Sequence, residues 1–171
     1  MPIYTQRPCR YNGCMGLFTE DAAKAQQEQE KFFREFEAKV HDKPCAMELA
    51  ECRADAATRT DMGFTGGGTS PQWGLLVFCE GGTYFYAAEQ ESYMSFFTQG
   101  TGRQEEQLVS FTKLQNLQFS RPRPRRPAFL FPEIPRTVEA SFCSASGARR
   151  QFSLVLNHDA TETFGRLAGK N

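Results

Sequence analysis

Hydrophobic residues change their spacing several times along this chain, and each change marks an element. From Glu20 to about Val40 no Gly or Pro intervenes, and Phe32, Phe33, Phe36 and Val40 fall at i, i+1, i+4 and i+8. That spacing predicts one narrow apolar stripe on an otherwise charged helix. Thr19 is placed to cap its start, with Glu20 and Asp21 complementing the positive end of the helix dipole. The Ala22–Glu30 part offers only alanines for apolar contact, so its first turns are expected to project into solvent while the phenylalanines dock. Pro44 stops the helix, because the residue before a proline is pushed out of the α region. Over Cys45–Asp55 the spacing suits a strand, with Met47 and Leu49 alternating, or a short helix; the strand is the reading adopted. Gly63, Gly66, Gly67, Gly68, Ser70 and Pro71 then make a linker, which lacks the Lys-Ser/Thr that a phosphate-binding loop needs.

Alternation takes over from Leu75. The run Leu75–Glu80, the pair Gly81-Gly82 and the run Thr83–Ala88 predict a hairpin with a two-residue primed turn, setting Glu80 opposite Thr83. One face then carries Leu75, Val77, Cys79, Tyr84 and Tyr86, the other Leu76, Phe78 and Phe85. A ribbon apolar on both faces needs a sheet interior on one side and a cover on the other, and the phenylalanine stripe is the nearest candidate cover. Further strands are predicted at Tyr93–Phe97, Gln107–Phe111 and Leu114–Phe119. A second hairpin joins Thr137–Ser144 to Arg149–Leu156 through a three-residue loop, Ser146-Gly147-Ala148. Its register opposes Val138 to Leu156, Ala140 to Leu154 and Phe142 to Phe152, leaving Glu139, Ser141, Gln151 and Ser153 on a wet face. A final helix opens with Asp159 as N-cap and Glu162 in capping-box position, carries a stripe of Ala160, Phe164, Leu167 and Ala168, and ends at Gly169.

This order of antiparallel strands and hairpins closing on one amphipathic helix resembles the pleckstrin-homology-like superfold, including its GRAM-type members. The resemblance is carried by Trp73–Val77 through Tyr84–Tyr86, Ser110–Leu117, Val138–Phe142, Arg150–Leu156 and Ala160–Ala168, and covers roughly residues 46–171. It implies an α+β fold, a small antiparallel barrel or sandwich capped by the C-terminal helix, with an additional N-terminal amphipathic helix. Residues 1–44 form an arm plus helix and residues 45–171 the β domain. Family members bind phosphoinositides, peptides or other proteins, so the fold alone does not choose among them. Here the Glu80-Gly81-Gly82 turn carries no cluster of Lys and Arg for a phosphoinositide.

Composition narrows the function classes. Twenty Lys+Arg balance twenty Asp+Glu, but residues 1–95 carry 9 basic and 14 acidic side chains and residues 96–171 carry 11 and 6. Opposite halves of this kind can attract between copies, which makes a homo-oligomer one expectation. The longest apolar run, Leu75–Cys79, is far short of the roughly 20 residues of a membrane span, and no signal-like start is present; the expected address is cytoplasmic. Six cysteines show no metal or dithiol spacing; Cys79 and Cys143 read as small hydrophobes, while Cys9 and Cys14, flanking a Tyr11-Asn12-Gly13 turn, are free, bridged or metal-bound. His41 and His158 read as surface or capping histidines, and no nucleophile–base set, metal set or cofactor motif is legible, so no catalytic residue, metal or cofactor is expected.

The most distinctive stretch is Arg121-Pro122-Arg123-Pro124-Arg125-Arg126-Pro127, in a region holding five of the nine prolines. Proline density excludes a helix or a central strand there. An extended, low-entropy backbone projecting Arg121, Arg123, Arg125 and Arg126 suits a carboxylate-rich partner, a phosphate backbone or, through its Arg-x-x-Pro-x-x-Pro spacing, a proline-binding groove, the alternative being a plain solvated loop; these four are the candidate binding residues. Phe129, Leu130, Phe131 and Ile134 either pack back on the barrel, the reading adopted, or form an exposed anchor. The reading from sequence is a non-enzymatic intracellular adaptor or scaffold module that holds another protein. The alternative is an anionic membrane or a nucleic acid bound through the same arginines.

Overall fold

A computed structural model describes residues 19–65, 71–88, 106–123 and 134–169, with backbone only at 19–23, 88 and 106. The chain runs α1 (Thr19–Val40), β1 (Pro44–Ala54), α2 (Ala56–Met62), β2 (Gln72–Cys79), β3 (Thr83–Ala88), β4 (Glu106–Ser110), a 3-10 turn at Phe111–Lys113, β5 (Gln115–Ser120), β6 (Thr137–Cys143), β7 (Arg149–Leu156) and α3 (Ala160–Ala168). The fold is α+β. Its sheet has seven strands in the order β4-β3-β2-β1-β7-β6-β5, antiparallel throughout. The strand expected at Tyr93–Phe97 lies outside the described residues, as do Cys9 and Cys14. Among the described residues no helix is long and apolar enough to cross a membrane.

The eleven-residue β1 joins two half-sheets: Pro44–Cys52 pair with β2, and Ala50–Ala54 pair with β7. Chain reach then dictates curvature. β4 and β5 are the outermost strands, yet Ser110 and Gln115 are close enough in sequence that the chain between them spans at most about 18 Å. A flat sheet would hold strands six places apart at about 29 Å. The sheet therefore curls, and its concave face gathers Leu76, Phe78, Phe85, Val109, Phe142, Phe152 and Leu154 into one core cluster. Phe111, just past β4, meets Phe152 on β7 at 5.6 Å and Phe119 on β5 at 6.2 Å between ring centroids.

The convex face is divided. Over β2 and β3 it is apolar, and α1 covers it: Phe36 is buried between Tyr84 and Tyr86, at 5.7 and 6.2 Å, and Phe32 meets Tyr86 at 5.7 Å. Val40 joins this cluster together with Val77, Cys79, Leu75 and Met47, whereas Phe33 stands outside it, its ring 6.3 Å from that of Phe32. The two faces of the β2–β3 ribbon are thus populated as the alternation predicts. Residues 24–28 are exposed, in line with a helix whose first turns leave the body. Over β5, β6, β7 and the end of β1 the convex face is polar, carrying Glu139 and Gln151 exposed and Ser141 and Ser153 half-buried.

Both hairpin registers differ from the expected ones by two residues. In β2–β3, Phe78 rather than Glu80 opposes Thr83, and Cys79 N–H donates to Gly82 O at 2.8 Å across a four-residue loop. Gly81 and Gly82 do not take the positive φ of a primed turn. What lies against them leaves little room for a side chain: a Cβ at Gly81 would sit 3.0 Å from Oδ2 of Asp42, whose Oδ1 accepts from Gly81 N–H at 2.8 Å, and a Cβ at Gly82 would sit 2.5 Å from Thr112 Cγ2. In β6–β7, Val138 opposes Leu154, Ala140 opposes Phe152 and Phe142 opposes Arg150. The loop is Ser144–Ala148, with Gly147 at φ +82° and the Ser144 hydroxyl accepting from Ala148 N–H. An even offset leaves every side chain on its expected face, since side chains repeat every two residues.

α2 has no counterpart in the sequence reading. Asp55 caps it by accepting from Thr58 N–H at 2.7 Å, and left-handed Gly63 ends it. In α3 the N-cap is as expected, Asp159 accepting from Thr161 N–H at 2.9 Å, but Glu162 does not complete a capping box; it pairs with Arg166 at 2.8 Å. The buried positions of α3 are Ala160, Thr163 and Leu167, while Ala168 is exposed.

Candidate functional site

The polar half of the convex face holds a groove of about 800 Å³ where the chain leaves β5 and re-enters at β6. Arg121 and Arg123 line it from the β5 side, Arg136 from the β6 side, and Arg53 from the end of β1. A neighbouring cavity of about 390 Å³ shares Arg53, Ser120 and Glu139 with it and adds Arg149. Strand pairing explains the gathering: Ser120 opposes Glu139 across β5–β6, Thr137 opposes Val155 across β6–β7, and Val155 opposes Glu51 across β7–β1. Residues from three distant parts of the chain thus meet on one surface.

The four arginines differ in their ion pairing. Arg53 is already neutralised by Glu51 in a fork, Nε to Oε1 at 2.7 Å and Nη2 to Oε2 at 3.1 Å, and that hydrogen bond raises the Arg53 pKa further. Arg121, Arg123 and Arg136 are exposed and make no ion pair among the described residues. Glu139 is the one carboxylate lining the groove, and it pairs with none of them among the described residues. Among the described residues the surface therefore presents three guanidinium forks without a carboxylate partner against one carboxylate, Glu139, which favours an anionic ligand able to accept paired hydrogen bonds.

Ile134 departs from its expected place. It does not pack on the core but stands 53% exposed, as the sole exposed large hydrophobic among the described residues, at the edge of the groove. Arg125 and Arg126, like Phe129, Leu130 and Phe131, lie outside the described residues. Of the four arginines expected at the site, Arg121 and Arg123 are on the groove. Sequence reasoning missed Arg53 and Arg136, whose roles depend on strand pairing that no local pattern encodes.

A second polar cluster locks α3 to β1. The Thr163 hydroxyl donates to Glu48 Oε2 at 2.5 Å, Arg166 approaches Glu48 Oε1 at 3.4 Å, and His158 Nε2 lies 3.6 Å from Oε2. A hydroxyl, an imidazole and a carboxylate sit together here, yet Thr163 is fully buried and donates directly to the carboxylate. With no solvent access to the hydroxyl, the arrangement is a clamp rather than a nucleophilic relay. No group of three or more potential metal ligands occurs among the described residues. Cys52, buried near Arg59, has its pKa pushed up to about 12, by burial above all, which keeps its thiol protonated.

Comparison of the chain with protein-family models, with curated proteins and with solved structures finds no match.

Proposed function

We propose that this chain is a non-enzymatic protein-interaction module on a pleckstrin-homology-like framework, and that the arginine groove is where it holds a carboxylate-bearing partner. The framework reading is supported by the strand order, by β1 bridging two half-sheets, by the curl that chain reach imposes, and by α3 packing against β5 and β6. Closure of the curled sheet into a barrel or sandwich follows from the same reading. A cytoplasmic address is part of the same reading.

The observation that carries the functional reading is the set of three guanidinium groups, Arg121, Arg123 and Arg136, left without carboxylate partners among the described residues around one concave surface. Fluorescence anisotropy with a labelled hexaglutamate probe tests it. Replacing the three arginines by serine is expected to weaken binding about tenfold, at roughly 0.5 kcal/mol for each exposed pair, with the circular dichroism spectrum unchanged. Unaltered affinity in that variant removes the groove as the site.

A further inference from the structure

The groove combines charge with an apolar element that its electrostatics leave unexplained. Ile134 is exposed beside Pro122 and Pro135, both half-buried, with half-buried Val155 beneath. Everywhere else among the described residues large hydrophobic side chains are at least partly covered. A lone exposed isoleucine needs no explanation on a convex surface, but this one borders a concavity of about 800 Å³, within the usual range of ligand pockets. Prolines at 122 and 135 remove backbone donors from both lips. With one donor missing from each lip, recognition is assigned to the side chains lining the groove. Among the described residues none that lines the groove is aromatic, so these offer bases no stacking platform.

We propose that the ligand of this groove is an extended acidic peptide segment with one bulky apolar residue, which seats on Ile134 while flanking carboxylates meet Arg121 and Arg123 on one lip and Arg136 on the other. This rests on the groove being the binding site, and it adds a specificity element to that reading. The arginines supply affinity for any polyanion, screened by salt over about 10 Å at 0.1 M. Ile134 supplies discrimination that salt does not screen, because burial of apolar area is indifferent to ionic strength at these concentrations. Two independent contributions, separable by salt and by mutation, are the signature.

Two fluorescein-labelled peptides provide the test on the full chain: a central leucine with three glutamates on either side, and the same peptide with serine at the centre. The leucine peptide is expected to bind about fivefold more tightly, less than full burial of a leucine gives because the seat is open on one side. Ile134→Ser is expected to abolish that ratio while leaving the serine peptide unchanged; the residue is exposed, so folding is not at stake. The triple Arg121→Ser, Arg123→Ser, Arg136→Ser variant is expected to weaken both peptides equally and to flatten their salt dependence. Equal affinity for the two peptides, still lost in the arginine variant, overturns the apolar seat and leaves the groove standing. Failure of both peptides to bind the folded chain overturns both readings. Tighter binding of a 20-nucleotide single strand or of phosphatidylserine vesicles, dependent on the same arginines, assigns the groove to a polyanion of another class and overturns the proposal. Concentration-dependent self-association that competes with the leucine peptide and disappears in the arginine variant makes a second copy the occupant, with the same result.

Discussion

Asp55 and Asp159 show how much a single side chain settles at a helix start. Asp55 accepts from the Thr58 N–H and, as a second contribution, from its hydroxyl, which holds its carboxyl below the ordinary 3.8. Asp159 is held low first by the Thr161 hydroxyl and then by the Thr161 N–H. A folded-state pKa below the unfolded value means that the ionised cap stabilises fully above about pH 4, and that this contribution is lost as pH falls through the lower, folded value. The double variant Asp55→Asn, Asp159→Asn keeps an acceptor at each cap but no charge. The difference in Tm between wild type and variant is expected to be largest near neutral pH and to shrink from about pH 4 downward. A difference that stays constant over that range would show that the charge contributes nothing. Caps of this kind were readable at Asp159, where the acceptor and its donor are neighbours in sequence. The clamp on the same helix was not, since Glu48 and Thr163 are 115 residues apart and only the curl of the sheet brings them into contact.

Periodicity carries the elements whose partners lie on their own face, and it is silent on how far one strand slides past another. The stripe of α1 and the two-faced β2–β3 ribbon were legible because one follows a period of 3.6 and the other a period of two. The hairpin registers were not, because Asp42 and Thr112, from outside the hairpin, decide what fits at Gly81 and Gly82. Asp42 also accepts from Tyr84 Oη at 3.3 Å, tying the α1–β1 joint to the ribbon that α1 covers. Burial first, and the Asp42 carboxylate second, raise the pKa of that tyrosine. α2, with only seven residues, is too short to display a period and announced itself only through its caps. The docking of α1 yields an element-scale prediction. Phe36→Ala removes the one α1 ring that is fully covered, between two tyrosines, and is expected to lower unfolding free energy by about 3 kcal/mol in urea titrations. Phe33→Ala, which removes a half-buried ring outside the Phe36–Val77–Cys79 cluster, is expected to change it by about 0.5 kcal/mol or less. The reverse ranking would mean that α1 lies on the sheet by a different face.

One interior serving both half-sheets has consequences for the molecule as a unit. Phe78, Phe85 and Val109 come from the β2–β4 half, Phe142, Phe152 and Leu154 from the β6–β7 half, and Ala50 and Cys52 on β1 belong to the same cluster. Phe111 ties the halves again, since it follows β4 but its ring lies against Phe152. Neither half can lose its packing without opening a cavity in the other, so unfolding should be a single cooperative event even though the charge of the chain is split into an acidic and a basic part. The lone Trp73, on β2 opposite Glu51, reports on one half by fluorescence, while far-ultraviolet circular dichroism averages over all strands. Their denaturation midpoints are expected to coincide in wild type. Phe152→Ala, on the half remote from the tryptophan, is expected to move both midpoints together by an amount equivalent to about 3 kcal/mol or more. Fluorescence that holds its wild-type midpoint while the dichroism shifts would mean two separately folding half-sheets. The convex groove would then lose the rigid support that the β1–β7 pairing gives to Arg53, and the arginines facing it across β5 and β6 would no longer be held at a fixed spacing.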